Sequence, residues 1–553
     1  MSSEKLRVLP LGGLGEIGMN CMVLEWGETL VLMDCGIQFP DSTYAGVDLL
    51  TPDLTYVRKR IKKLKGVVVT HGHDDHIGAI PFLLKEAPLD VYCTPFPEGL
   101  IRNKLQEYSD LHEVRFHRIS PRKKFVVGDF CFDPIPVAHS IIEALGFFIE
   151  TPVGNLVHSG DFKHDPKEMV DGKPIGFEPF RERAQEGTLL LLSDSTNAER
   201  LGHTLSEWDI ASSFENLLAG QSGRLLIALF ASNIKRIEKL LGIAHRLGKK
   251  VAFCGRSMHS YTKLAHEQGS LQIPPDTLVL LENTDLYPDD SVIVLLTGSQ
   301  AEPQSALVRI AQNSHKDIQI KSSDKIILSS RFIPGNERAI TQMIDHLYRL
   351  GAEVIYESIH QIHVSGHGFQ DELLMMIHAA KPKCFVPIHG EYRHLAKHAK
   401  LAVGAGVLDR HARVIEDGQV LEVDEKGLVL AERLELEKGV VVGGIYMEGA
   451  RELFTQRTNL AKTGVISAVF VRDARSKKLV SEPALSGYGL LFHKGADSDE
   501  IFDKAKDYLW DLYEDSRNDP EIVDILRLGI RRFFRKWVSH KPVALPILFE
   551  VKG

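Results

Sequence analysis

Val67-Val68-Val69-Thr70-His71-Gly72-His73-Asp74-Asp75-His76-Ile77-Gly78-Ala79-Ile80-Pro81-Phe82-Leu83-Leu84 joins a continuous apolar run to a second apolar stretch that reads as a helix. Between them, three imidazoles and the Asp75 carboxylate are concentrated at a strand-to-helix turn. Imidazole nitrogen and carboxylate oxygen are the ligands Zn²⁺ prefers, at roughly 2.0–2.2 Å. His71 and His73 stand two apart, so in extended chain they point the same way. Asp75 and His76 follow on the next turn, placed to face a second metal. A solvated histidine-rich loop is the bland alternative, and the strand-end context argues against it.

Working outward, a chain of 553 residues is too long for one hydrophobic core and predicts two or three domains. With 44% hydrophobic and 25% charged residues, the composition is that of a globular protein with no tract of disorder. Apolar runs such as 189–192 and 292–296 are strand-sized, well short of the ~20 residues of a membrane helix. The first residues carry no apolar signal core, so a cytoplasmic protein without membrane partners is expected. The six cysteines form no CxxC pair, which argues against a zinc ribbon and a disulfide framework. A net charge of −8 counts mildly against nucleic-acid binding. It does not decide the matter, because bound cations and local Lys/Arg clusters set the field inside a cleft.

The first part of the chain reads as short strands (6–11, 21–26, 29–34, 66–70, 91–94, 146–150, 155–159, 188–193) separated by Gly-rich turns. After about residue 205, helical patterns (206–218, 235–247, 304–314, 336–350) alternate with apolar strands (224–230, 250–254, 292–297, 325–329, 353–357). That alternation predicts a parallel α/β domain inserted into the first. The first domain resumes near residue 360 and closes with strands between 417 and 436. The expected domains are therefore 1–205 with 358–448, an insert at 206–357, and an α+β module at 449–553. In the last, strands at 464–471 and 489–492 precede helices at 499–515 and 521–539.

The HxHxDH hexapeptide resembles the signature of the metallo-β-lactamase superfamily, whose remaining ligands follow other strands. His139 in Val137-Ala138-His139-Ser140, Asp161 in Ser159-Gly160-Asp161-Phe162 and His389 in Pro387-Ile388-His389-Gly390 match those positions. The resemblance implies an αββα sandwich and two divalent ions, with Zn²⁺ expected first and Mn²⁺ or Mg²⁺ as the other candidates. It assigns His71, His73, His139 and Asp161 to one ion, and Asp75, His76, Asp161 and His389 to the other. Asp34, in Asp34-Cys35-Gly36, would sit behind a ligand imidazole and accept its free N–H, or else cap that turn. Gly13-Leu14-Gly15-Glu16-Ile17-Gly18 also satisfies GxGxxG, but a strand follows it where a dinucleotide fingerprint needs a helix to open.

The insert resembles the β-CASP domain of nucleic-acid-cutting members, with flanking motifs at Asp194, His367 and His389. Gly12-Gly13-Leu14-Gly15-Glu16-Ile17-Gly18, Gly46-Val47-Asp48, the 39–41 and 230–233 motifs, and Pro387-Ile388-His389-Gly390-Glu391-Tyr392-Arg393 are similar to segments of bacterial ribonuclease J, over residues 5 to about 450. Leu201 and Ile142 stand where that family often has Pro, and neither departure removes a ligand. The resemblance implies hydrolysis of RNA by endonucleolytic and 5′→3′ exonucleolytic cuts that leave 5′-phosphates. Asp75 and Asp34 would serve the metal chemistry and Asp194 the acid site. His367 would be the general acid, since a His near its unperturbed pKa of ~6.5 can be protonated at working pH. Ser232-Asn233-Ile234 and the facing His363-Val364-Ser365-Gly366-His367 would hold the RNA backbone or a 5′-monophosphate end. Ser232-Asn233 reads equally as a plain helix cap, and the two roles are compatible.

Residues 449–553 would mediate a homodimer or homotetramer, with other RNA-decay enzymes as further partners. The basic stretch at 531–537 reads first as the solvated face of an amphipathic helix. A small-molecule lactamase or thioesterase would need neither Asp194, His367 nor the ~150-residue insert. An inert RNA-binding subunit would be expected to have lost ligands.

Overall fold

The computed structural model describes residues 5–40, 44–170, 172–332, 336–356, 362–449, 451–494 and 496–552. The end of the expected 353–357 strand, Asp41 of the 39–41 motif and the expected boundary at 358 lie outside these. The chain forms two compact units, one of Met1–Phe39 with Leu49–Tyr446 and one of Pro40–Asp48 with Met447–Gly553.

Two sheets face each other in the first unit. One has eight strands, in the order Gly427–Arg433, Gln419–Asp424, Leu6–Gly12, Cys21–Trp26, Thr29–Met33, Leu64–Val68, Leu89–Cys93 and Val114–Arg118. The other has six, in the order Pro382–Ile388, Thr188–Asp194, Gly154–His158, Leu145–Thr151, Phe130–Pro136 and Phe125–Val127. Val8, Leu24, Val31 and Val68 from the first sheet meet Phe132, Phe147, Leu190 and Val386 from the second in one buried cluster. Neighbouring residues point the other way, so Leu9, Val23, Leu32 and Val67 pack under Phe82, Phe96 and Leu100. On the far side, Phe148, Leu191 and Phe385 pack under Phe180, Leu373 and Ala402. Strands buried on both faces read as continuous apolar runs, as these do. The layers are the expected αββα sandwich.

Strands Leu225–Ala228, Lys250–Cys254, Val292–Leu296, Lys325–Leu328 and Glu353–Ile355 form the inserted sheet, all pairs parallel. Its helices include Ile234–Arg246 and Glu337–Arg349, near where periodicity placed them. Others depart from the sequence reading. The 206–218 helix starts at Ala211 and the 304–314 helix shrinks to Ala306–Ala311. The single helix read over 77–84 is two short ones, Asp74–Ile77 and Ile80–Leu83, separated by Gly78-Ala79. A Cβ on Gly78 would meet Asp74 O at 2.5 Å, which explains the small residue there.

In the second unit, helix Arg451–Thr463 precedes strands Val465–Asp473 and Ala484–Tyr488, then helices Ser498–Ser516 and Ile522–Phe534 and strand Val543–Val551. The strand expected at 489–492 thus lies earlier, at Ala484–Tyr488. The first helix and last strand escaped the sequence reading. Val543–Val551 alternates apolar residues on an exposed face with polar or buried ones, and its parallel partner is 70 to 80 residues upstream, as in Val465↔Val543.

Candidate metal centre

The site forms where strands of both sheets end. Thr29–Met33 delivers Asp34, Leu64–Val68 delivers the 71–76 turn, Gly154–His158 delivers Asp161, Thr188–Asp194 ends on Asp194, and Pro382–Ile388 delivers His389. The last three strands run parallel and side by side, so their carboxyl ends share one edge. Asp34 and His389 have φ of 60° and 54°, a left-handed backbone that costs non-glycine residues roughly 1–3 kcal/mol. Hydrogen bonds hold them there. Asp34 Oδ1 accepts from Thr70 N at 2.7 Å and its Oδ2 accepts from Thr70 Oγ1 at 2.8 Å. Next to Asp34, a Cβ on Gly36 would meet Asp75 O at 1.7 Å, so only glycine lets the 34–36 turn slide beneath the ligand turn.

Three ring nitrogens converge. His71 Nε2 lies 2.9 Å from His73 Nδ1, which lies 3.2 Å from His139 Nε2. His139 Nδ1 donates to Gly366 O at 2.7 Å, leaving the Nε2 lone pair facing the cluster. Gly366 approaches so closely that a Cβ there would meet His139 Cε1 at 2.8 Å. Thr70 Oγ1, already donating to Asp34, is 3.0 Å from His71 Nδ1, which therefore donates to it and leaves the His71 Nε2 lone pair free. Burial pushes the pKa of His71 and His139 well below the ordinary value and that of His73 down to about 4, so all three are neutral. Lone pairs this close repel unless they share a cation. Ligands on a tetrahedral ion at about 2.0–2.1 Å would stand about 3.3 Å apart, close to the spacing seen.

A second group of donors lies alongside. His76 Nε2 is 3.2 Å from Asp161 Oδ2 and 3.6 Å from Asp75 Oδ2. His389 Nε2 is 3.5 Å from Asp75 Oδ2, and its Nδ1 is 3.4 Å from Asp161 Oδ1. Asp161 also lies 3.8 Å from His71 and 3.9 Å from His139, so it stands between the two groups. Burial opposes charge here, yet the neighbouring imidazoles hold Asp161 well below the carboxylate range and Asp75 lowered too. Burial also lowers His76 and His389, but their carboxylate neighbours, Asp161 first, override it and raise His389 to about 10. Such a field demands positive charge, whether protons or metal. His389 Nε2 is buried with no hydrogen-bond partner among the described residues, as an unfilled ligand position would be. The chemistry of the donor set fits divalent metal.

Beside this lies a hydrogen-bonded His–Asp pair. His367 Nδ1 is 2.7 Å from Asp194 Oδ2, while Asp194 Oδ1 accepts from Thr196 N and Oγ1 at 2.9 Å each. Burial lowers His367, but Asp194 and then Asp161 outweigh it and the pKa is raised.

The insert reaches the same place. Ser232 Oγ is 3.2 Å from His73 Nε2. Asn233 Oδ1 accepts from Arg236 N at 3.2 Å, the helix cap the sequence offered as one reading. Ile234 and Val364 are buried apolar side chains, which leaves only their backbone groups to meet a ligand. Ser365 Oγ accepts from Asn197 Nδ2 at 2.8 Å, and His363 Nδ1 is 3.4 Å from Arg236 Nη1. Sequence reasoning overlooked Asn20, whose Nδ2 is 3.3 Å from Asp75 Oδ2 and 3.0 Å from His76 Nε2, and the network of Thr70, Thr196 and Asn197. Lone polar residues carry no spacing signal.

A family model described as "Ribonuclease J, beta-CASP domain" matches residues 222–347, "Beta-lactamase superfamily domain" matches 29–175, and "Zn-dependent metallo-hydrolase RNA specificity domain" matches 351–413. Ribonuclease J of Thermus thermophilus is 35% identical over 563 residues, covering 99% of this chain and 96% of that one. The chain belongs to the ribonuclease J family. Ribonuclease J of Helicobacter pylori (strain J99) is 36% identical over 495 residues, covering 89% of this chain and 71% of its own. The fold, a metallo-β-lactamase sandwich with a β-CASP insertion, also matches a solved protein of unknown function from Enterococcus faecalis V583. That match has a TM-score of 0.54 at 15% identity, over 76% of this chain and 100% of that one. Membership of this superfamily implies divalent metal binding. Among the described residues no helix is long and apolar enough to cross a membrane.

Proposed function

We propose that the chain hydrolyses RNA phosphodiester bonds at a pair of divalent ions, by endonucleolytic and 5′→3′ exonucleolytic cuts that leave 5′-phosphate and 3′-hydroxyl ends. The observation that carries this reading is Asp161 lying between two groups of donors, with the Asp194–His367 pair beside them. His71, His73, His139 and Asp161 would hold one ion, and Asp75, His76, Asp161 and His389 the other. The imidazole-rich donor set suits Zn²⁺, with Mn²⁺ or Mg²⁺ as alternatives. When bound, the pair polarises the phosphate and lowers the pKa of water.

The remaining steps belong to side chains. Asp34 and Thr70 orient His76 and His71. His367 keeps its Nδ1 proton on Asp194 and delivers the proton on Nε2 to the departing 3′ oxygen. Asp194 positions that ring and sustains its charge. Ser232 with Asn233 and the backbone of Ile234, facing His363, the backbone of Val364, Ser365 and Gly366, would cradle the RNA backbone or a 5′-monophosphate. The catalytic domain would comprise 1–205 and 358–448, and the insert 206–357. Residues 449–553 would serve self-association, supported by the exposed Leu545, Ile547 and Phe549 on one face of the last strand. A cytoplasmic location fits this role.

Incubating wild type, the Asp75→Ala/His76→Ala double variant and His367→Ala with 5′-labelled RNA tests the reading. Cleavage by wild type that both variants lose is expected. Intact RNA after incubation with folded, metal-loaded wild type would overturn it.

A further inference from the structure

Arg236, on the first turn of helix Ile234–Arg246, is almost wholly buried, and its guanidinium joins the inserted domain to segments on either side of it. Its Nε donates to Glu207 Oε2 at 3.0 Å and its Nη2 to Glu207 Oε1 at 2.6 Å, a two-pronged pair. Glu207 lies on the stretch that carries the chain from the sandwich into the insert. Nη1 donates to Ser329 O at 2.8 Å, at the end of an inserted strand. Nη2 lies 3.4 Å from Val364 O, on the stretch that carries the chain back out towards His367. Ser329 Oγ donates to Ile362 O at 2.8 Å, reinforcing that return. Asn233 Nδ2, at 3.4 Å from Glu207 Oε1, adds the turn that bears Ser232. Burial alone would push the Glu207 carboxyl up, but Arg236 outweighs it and holds it at about 2. The Glu207 carboxylate is thus favoured in its ionised form against the guanidinium.

A buried ion pair is weak evidence for stability, because desolvation cancels much of the attraction; its best-attested use is to fix register. Here three segments far apart in sequence, at 207, 329 and 362–366, meet on one guanidinium, and Glu207 ties in the 232–233 turn beside it; the 362–366 return and the 232–233 turn face the metal cluster. A lysine ammonium, lacking the planar fork, would not span them all.

We propose that Arg236 and Glu207 are positioning residues that hold the Ser232-Asn233 turn and the 362–366 return in register over the metal centre, so that a polynucleotide depends on the pair and a small phosphodiester does not. This rests on the reading of the site as an RNA hydrolase. Neither side chain touches a donor of the metal cluster, so the chemistry itself is left intact by their loss.

The test compares full-length wild type, Arg236→Lys and Glu207→Gln for steady-state cleavage of RNA and of bis(p-nitrophenyl) phosphate, with metal content measured on each. Expected is a rise of about tenfold or more in KM for RNA. The kcat, the small-diester turnover and the bound metal should stay near wild type. A parallel fall on both substrates, or an unchanged KM for RNA, would overturn the proposal. If either variant fails to fold, Ser329→Ala, which removes the hydroxyl tie to Ile362 and one Arg236 acceptor, is read by the same two criteria. Wild type that hydrolyses the small diester but not RNA refutes the underlying function instead.

Discussion

His76 Nδ1 lies 2.7 Å from Asp34 Oδ2, and this single contact turns the other ring nitrogen of His76 towards Asp75 and Asp161. A carboxylate behind a ligand imidazole fixes its tautomer and raises its basicity. Asp34→Asn should therefore weaken metal affinity by about 10–100-fold while leaving the fold intact. Competition titration with a chromophoric chelator reads the affinity. Unchanged binding would mean that Asp34 serves only its turn.

Removing His367 should leave metal content unaltered and lower RNA turnover by about 10²–10⁴-fold. Its role is to protonate a poor leaving group. An RNA analogue with a p-nitrophenolate leaving group, which departs without a proton, should recover most of the lost rate in His367→Ala. Equal losses on both substrates would assign the ring to some other task.

Chelation should do more than abolish activity. Burial keeps His71, His73 and His139 neutral, so without a cation their lone pairs face one another. A ligand that binds only the folded state stabilises it by mass action. Dialysis against a chelator should lower the melting temperature, and Zn²⁺ or Mn²⁺ should restore it in a concentration-dependent way. Identical melting curves for apo and metal-loaded protein would argue against a resident ion.

Away from the centre, burial and then the neighbouring Glu16 push Asp417 up to about 8, against the pull of Leu14 N–H and Lys438. The folded pKa stands above the unfolded value, so the folded state binds the extra proton. Its stabilising contribution is complete below the unfolded carboxylate pKa of ~3.9 and is lost as pH rises through about 8. Asp417→Asn, which stays neutral, should melt less steeply than wild type between pH 6 and pH 9, by differential scanning calorimetry. Parallel slopes would show that the carboxyl does not titrate in that interval.

The exposed apolar face of Val543–Val551 should drive assembly of the full chain. Ile547→Glu with Phe549→Glu places two charges on it without disturbing the buried Ile466, Phe470 and Leu526 behind. Sedimentation velocity should show a smaller species with bis(p-nitrophenyl) phosphate hydrolysis retained. An unshifted sedimentation coefficient would remove this face from consideration.

Much of this molecule was legible along the chain. The alternation of apolar strands and 3.6-period helices marked the insert, because both periods follow from local backbone geometry. Boundaries fared worse. The helices near 206 and 304 are shorter than their apolar pattern, and the strand placed at 489–492 lies at Ala484–Tyr488. Hydrophobicity marks what is buried and leaves open which backbone shape buries it. The missed strand Val543–Val551 is the extreme case, since Leu545, Ile547 and Phe549 face out and its pairing is to a strand far upstream.

By itself the sequence determined the chemistry available: a turn dense in imidazole and carboxylate after one strand, with single donors after others, matched to a family pattern. Only the tertiary structure decided which atoms meet. Ser232 reaches His73 across 159 residues, Arg236 gathers Glu207, Ser329 and Val364 onto one side chain, and Ile234 turns out to face the core. Spacing along a chain governs neighbours within a turn or two. Contacts between segments depend on how sheets stack and where strands end, which no local pattern encodes.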